Sequence, residues 1–107
     1  MKSVYIFHNK RKSLYKIGIS KSPEKRSGQV GLKVDFSFYL PLFFSAKIEV
    51  FLHKMLSSKQ EKQPGSGGTE WFKLNFIVLI FVLSFLVAMF AAQLILFLTT
   101  ITILILI

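Results

Sequence analysis

The sequence predicts a small α+β domain, with strands and helices in the order ββαβαβ, followed by one C-terminal transmembrane helix. Two observations predict the domain: short strand patterns alternate with helix patterns in the polar part of the chain, and the longest of these helix patterns carries one apolar stripe. A third predicts the membrane helix, because residues 76–107 contain no charge, proline or glycine. We therefore divide the chain into a domain of residues 1–74 and a tail of residues 75–107.

A β-hairpin is predicted at the start of the chain. Residues 4–7 and 14–20 are short apolar runs, and the polar residues 8–13 separate them. The tip of this hairpin is basic, with Lys10, Arg11 and Lys12 in a row. If the partner is DNA, we expect this tip to contact its phosphate backbone rather than base edges, and therefore without base preference.

A short helix and a third strand follow. Ser22 is a suitable N-cap, Pro23 suits the first helical position, and Glu24 stands at the positive end of the helix dipole. Residues 34–40 then alternate apolar and polar side chains, which indicates a half-buried strand.

A second, longer helix is predicted from Ser45, and a last strand over residues 69–74 closes the domain. Between them, residues 59–68 form a polar, glycine-rich loop. The last strand is expected to bring Trp71 and Phe72 into the core. The apolar stripe of the second helix is expected to face the same core, and it consists of Ile48, Phe51, Leu52, Met55 and Leu56.

The net charge of the chain indicates which kinds of partner it can bind. Its 14 Lys and Arg against 5 Asp and Glu give a net charge of +9, all of it before Leu74. Such a domain favours DNA or anionic lipid, since both present phosphate groups. The chain has no cysteine, which excludes a disulfide staple and a thiolate metal site.

The apolar tail predicts a single membrane span, with a hairpin of two spans as a weaker alternative because no turn residue interrupts it. Since the positive charge precedes the tail, the N-terminal domain is expected on the cytoplasmic side. Ser84, Ala88 and Ala92 recur at four-residue spacing, which permits helix–helix self-association. A truncated or frame-shifted reading frame is another explanation of the tail.

Glu49 is the main candidate for metal chemistry. It lies one helical turn before His53, and a single carboxylate can hold one Mg²⁺ that keeps most of its waters. A solvated glutamate paired with a neighbouring charge is the alternative. Tyr5 and Arg26 have ordinary alternatives as well, as a packed strand residue and a surface arginine.

Four sequence motifs resemble the GIY-YIG nuclease superfamily, and in particular its bacteriophage T5 open-reading-frame 172 DNA-binding branch, also called the meiotically up-regulated gene 113 type. The resemblance covers residues 3–74. The motifs are YKIGIS at residues 15–20, Pro-Glu-x-Arg at 23–26, E-x-x-x-H at 49–53 and Glu-Trp-Phe at 70–72.

The resemblance implies a role for each candidate. Tyr5 would be the general base or would position the attacking water, its pKa lowered by a nearby metal and arginine. Arg26 would stabilise the pentavalent phosphate, and Glu49 would hold Mg²⁺, for which Mn²⁺ can substitute. Lys16 stands where the superfamily has its second tyrosine, and it could touch the scissile phosphate or join Lys21 and Lys25 on a DNA-binding face.

Two functional hypotheses result. The first is a membrane-anchored, DNA-binding GIY-YIG-like domain with divalent-metal-dependent endonuclease activity. The second is a small membrane protein whose basic domain has lost its catalytic function and docks on anionic lipid or on a partner protein.

Overall fold

The computed structural model describes residues 1–63 and 68–107, with Thr69 described by its backbone alone. The predicted loop over residues 59–68 therefore lies partly outside the described residues. The order ββαβαβ and the α+β class are confirmed, and a long helix follows. The elements are β1 (Ser3–Asn9), β2 (Leu14–Ser20), α1 (Pro23–Ser27), β3 (Phe36–Pro41), α2 (Ser45–Met55), β4 (Trp71–Phe72) and α3 (Phe76–Leu106), with 3₁₀ turns at Ser57–Lys59 and Gly68–Glu70.

The strands form an antiparallel sheet in the order β3-β1-β2-β4. On the central strand β1, Tyr5 stands between Gly18 of β2 and Tyr39 of β3. The strand β4 is short: it pairs with Tyr15 and Lys16 of β2, and its Phe72 also forms a bridge with Gln60. From residue 17 onward β4 no longer pairs with β2. The backbone N–H and C=O groups on the outer edge of β2 can therefore form hydrogen bonds with side chains there.

One face of the sheet forms an apolar core with α2 and α3. Strand β1 contributes Val4 and Ile6 to it, and β4 contributes Phe72. From the predicted stripe of α2, the residues Ile48, Leu52 and Leu56 are buried.

The prediction was wrong for the other two members of that stripe. Phe51 is 49% exposed and Met55 is 39% exposed, because they lie on the flank of α2 beyond its contact with the sheet. The Phe51 ring instead meets Phe85 of α3, with 5.5 Å between the ring centroids.

The first half of α3 packs on this same core. Its N-cap Asn75 accepts a hydrogen bond from the Val78 N–H (2.8 Å), and Val82 and Leu86 are fully buried. The helix contacts β3 as well. By length and composition α3 could cross a membrane, yet part of it completes the core of the domain. The division of the chain after residue 74 stays a prediction.

The opposite face of the sheet is buried over β1, β2 and β4, whereas Ser37, Tyr39 and Pro41 of β3 are exposed. Tyr5, Phe7, Lys16 and Trp71 are all 1% exposed or less there, and the Tyr5 and Phe7 rings stack with centroids 4.0 Å apart. This face differs from the apolar core because it buries a charged lysine.

Candidate functional site

The site begins at Tyr5, whose ring lies across Gly18 of the neighbouring strand. A Cβ added at Gly18 would collide with the ring and hydroxyl of Tyr5, and it would lie 2.9 Å from Oε2 of Glu70. Glycine is therefore required at position 18 by close approach. The same geometry places the Tyr5 hydroxyl beside the Glu70 carboxylate.

Lys16 is held in a buried ion pair. Its Nζ lies 2.7 Å from Oε2 of Glu70, and its side chain is 0% exposed while that of Glu70 is 27% exposed. The ammonium also lies 5.9 Å from the centroid of the Trp71 ring. Burial lowers the pKa of Lys16, and the hydrogen bond and charge of Glu70 oppose that shift. Lys16 is thus inaccessible to a DNA phosphate in this arrangement.

Arg26 reaches the site from the short helix α1. The first turn of α1 is closed by the Arg26 N–H, which donates to the Ser22 carbonyl (3.0 Å). From there the Arg26 guanidinium donates a hydrogen bond to the Tyr5 hydroxyl.

Tyr5 remains protonated at neutral pH. Burial raises the pKa of Tyr5 to about 12; the Arg26 hydrogen bond opposes this, and the Glu70 charge adds to it. The resemblance implies a pKa lowered by a metal and the arginine together; the arginine by itself is outweighed by the burial of the phenol. A protonated hydroxyl can orient a water or donate a proton, and it is a poor general base.

The side chains of Glu49 and His53 form hydrogen bonds with the backbone at the outer edge of β2. Beyond the last pair of β4, the Ile17 carbonyl and the Ile19 N–H point to the same side, and residues one turn apart on α2 match that spacing. His53 Nε2–H donates to the Ile17 carbonyl (2.7 Å), and the Glu49 carboxylate accepts from the Ile19 N–H.

The Glu49 carboxyl is partly buried and close to a second carboxylate. Burial raises the pKa of Glu49, and the charge of Glu70 adds to the shift; His53, Lys16 and the Ile19 N–H oppose it. A divalent cation bound at Glu49 would favour the charged form of its carboxyl, and a single carboxylate can hold a Mg²⁺ that keeps most of its waters. Within residues 1–63 and 68–107, no three acidic, histidine or cysteine side chains gather as a ready-made metal cage.

The structure thus brings Tyr5, Lys16, Arg26 and Glu49 together, as their shared electrostatic interactions show. It adds Glu70, to which sequence reasoning assigned no site role. Its position directly before Trp71, in the closing motif, was the available signal. This signal could not predict a site role for Glu70. Glu70 reaches the middle of β2 only because its neighbour Trp71 pairs with Lys16.

The predicted DNA-binding residues fall into two groups. Lys10, Arg11 and Lys12 are exposed at the hairpin tip, where they line a groove of about 500 Å³ with residues 31–33 and Asp35. Asp35 accepts a hydrogen bond from the Lys10 N–H (2.8 Å). This carboxylate partly offsets the positive charge of the groove.

Lys21 and Lys25 are exposed beyond the other end of β2. Strand β2 spans residues 14–20, so about 20 Å separates the two basic groups. The cluster around Tyr5 lies between them.

Comparison with known proteins identifies the class. The chain matches a family model, that of the T5orf172 domain, over residues 2–87. It therefore belongs to the T5orf172 domain family, which indicates a DNA-binding, nuclease-like domain. No curated protein and no solved structure matches the chain. The matched region extends into α3 as far as its buried residues Val82 and Leu86.

Proposed function

We propose that the protein binds DNA and cuts it as a Mg²⁺-dependent endonuclease of the GIY-YIG type, while α3 holds it at a membrane. The observation that carries this proposal is the convergence of Tyr5, Arg26 and Glu49 from three separate elements around the middle of β2. Packing alone gives no reason for an arginine, a phenol and a partly buried carboxylate to meet there.

Each of the three has a task in phosphodiester hydrolysis, in which a water oxygen bonds to phosphorus and the bond to the leaving sugar oxygen breaks. Arg26 stabilises the charge that develops on the phosphate, since its planar fork stays charged. Tyr5 orients the attacking water. Glu49 would hold Mg²⁺, or Mn²⁺ in its place, and the bound metal would polarise the phosphate and acidify a water.

DNA would approach along β2. Its strand could contact the hairpin tip at one end and Lys21 or Lys25 at the other, with the scissile phosphate between them. The expected binding is weak, without base preference and strongly dependent on salt, because phosphate contacts dominate it.

The membrane is the second proposed partner. Helix α3 is the apolar element, and the basic domain would remain on the cytoplasmic side of the bilayer. Ser84, Ala88 and Ala92 are exposed on α3, and self-association through them stays a prediction.

The test is nicking of supercoiled plasmid by the full chain in detergent micelles, with Mg²⁺, with Mn²⁺ and with a chelator. The full chain is needed because Val82 and Leu86 complete the core. We expect metal-dependent nicking that Glu49→Ala and Arg26→Ala abolish. Glu61→Ala, which removes an exposed carboxylate, should leave it intact.

A DNA-binding protein without nuclease activity is the second candidate, and the Lys16–Glu70 ion pair favours it. The pair occupies the place where the superfamily keeps a second tyrosine. If wild type and the double variant Lys16→Tyr/Glu70→Gln bind DNA and leave it uncut in both metals, the nuclease proposal fails and binding remains. Absence of DNA binding would contradict both.

A further inference from the structure

The contacts of α3 divide it into two halves. Its first half packs on the domain through Val82 and Leu86, and this half ends at Gln93, whose side chain bonds the loop after β3. Gln93 Oε1 accepts from the Phe43 N–H (2.8 Å), and Gln93 Nε2 donates to the Pro41 carbonyl (3.1 Å). Every residue after Gln93 is exposed.

The position of Gln93 limits which part of α3 can enter hydrocarbon, whose thickness is about 30 Å. A full span by the whole helix would place Gln93 near the midplane. The domain would then have to release Gln93 and expose the core around Leu86, or follow the helix into hydrocarbon.

The loop bonded by Gln93 is itself apolar at its tip. Phe43 is 63% exposed and Phe44 is 64% exposed, and the Lys47 ammonium lies 5.8 Å from the centroid of the Phe44 ring. Lys2 is close, because its carbonyl accepts from the Leu42 N–H (3.3 Å). Aromatic rings flanked by lysines suit the headgroup level of an anionic bilayer.

An apolar cavity joins this loop to the exposed half of α3. Its volume is about 330 Å³, and Leu42, Phe44, Met89 and Phe97 are among its lining residues. The cavity continues the apolar surface of the tail and could receive an acyl chain.

We infer that the membrane boundary lies at Gln93: an anionic bilayer takes up the helix after Gln93 together with Phe43 and Phe44, while residues 76–93 stay docked on the domain. This inference rests on the proposed membrane function of α3. Pro41 pairs with Ser3 at one end of β1, whereas the basic hairpin tip follows the other end. The DNA-binding tip would therefore point away from the membrane.

Depth measurement tests the inference, and the chain's lack of cysteine permits single labels. Two single-cysteine variants, Ala91→Cys and Leu104→Cys, would each carry a fluorophore at an exposed position of the full chain. Each would be reconstituted in phosphatidylglycerol vesicles. The vesicles would contain lipids whose nitroxide quencher lies either near the headgroups or deep in the acyl chains. A boundary at Gln93 puts position 104 about 20 Å deeper along the helix than position 91. A full span reverses this, with position 91 deepest, and would overturn the inference while leaving membrane anchoring intact. If neither label is quenched by lipid, membrane anchoring itself is wrong.

A second pair of labels tests the loop. Phe44→Cys and Phe36→Cys replace phenylalanines of similar exposure, 64% and 55%, near opposite ends of β3. We expect shallow nitroxide lipid to quench the label at position 44, and aqueous iodide to quench the label at position 36. Equal quenching of both labels by iodide would show that the loop does not enter the bilayer.

Discussion

The two faces of the sheet are both largely buried over β1 and β2, but they differ in what they bury. On one face, Val4 and Ile6 meet an apolar core completed by α2 and α3. On the other, Tyr5 lies beside the buried Lys16–Glu70 pair. An apolar core tolerates changes that keep its volume, whereas a buried charge depends on its partner. Substitutions on the first face should therefore change stability according to the side-chain volume they remove. Substitutions on the second face should change it according to whether they leave a buried charge without its partner.

The largest predicted effect is the loss of one member of the buried pair. Lys16→Met leaves the Glu70 carboxylate without its cation beside Tyr5 and Glu49. We expect the free energy of unfolding, measured by urea denaturation in mild detergent, to fall by about 3–5 kcal/mol.

The double variant Lys16→Met/Glu70→Gln separates pairing from packing. It removes both charges and should regain most of the lost stability, because no uncompensated charge remains. Lys21→Met, at an exposed position, is the matched control and should change the free energy of unfolding by no more than about 0.5 kcal/mol. A double variant as unstable as Lys16→Met would show that Lys16 acts through packing.

The apolar face gives the next largest effect. Leu86→Ala removes a fully buried side chain of α3 and should cost about 2–5 kcal/mol. Leu98→Ala makes the same change at a residue 60% exposed and should cost little in the same detergent. Equal, small effects would mean that α3 is an independent anchor and that the domain ends near residue 74.

Sequence periodicity could predict the apolar face in part. The 3.6-residue repeat found Ile48, Leu52 and Leu56, but it could not show that the contact of α2 is narrower than its stripe. In α3 every residue is apolar or nearly so, and therefore no pattern distinguishes the docked Val82 and Leu86 from their exposed neighbours.

The charged face was predictable only through its motifs. The family resemblance selected Tyr5, Arg26 and Glu49, which meet in the structure. It could not predict the Lys16–Glu70 pair, because that contact depends on where the short strand β4 joins the sheet. Nor could it show how deeply Tyr5 is buried, and that burial raises the pKa of Tyr5.

A smaller effect is expected at the hairpin tip, away from both faces. Arg11→Glu should weaken binding to all DNA sequences about equally and reduce the slope of log affinity against log salt by about 1, since one phosphate contact is lost. Lys54→Glu makes the same charge reversal at an exposed position on α2, away from the tip, and controls for net charge. Equal slopes for the two variants would place the DNA elsewhere.

The smallest effect concerns Glu49, at the edge between the two faces. The raised pKa of Glu49 means that the folded state favours the neutral carboxyl more than the unfolded state does. The stability that this preference contributes is fully present at a pH below the pKa of Glu49 in the unfolded chain. It is lost as the pH rises through the pKa of Glu49 in the folded protein. Glu49→Gln keeps an acceptor for the Ile19 N–H and removes the charge. It should therefore raise Tm at pH 7, with the difference from wild type shrinking toward pH 4, while metal-dependent nicking is lost. Glu61→Gln, at an exposed position, should not raise Tm. A Glu49→Gln variant less stable than wild type at pH 7 would show that the charge of Glu49 supports the fold, and its placement as a metal ligand would lose its physical basis.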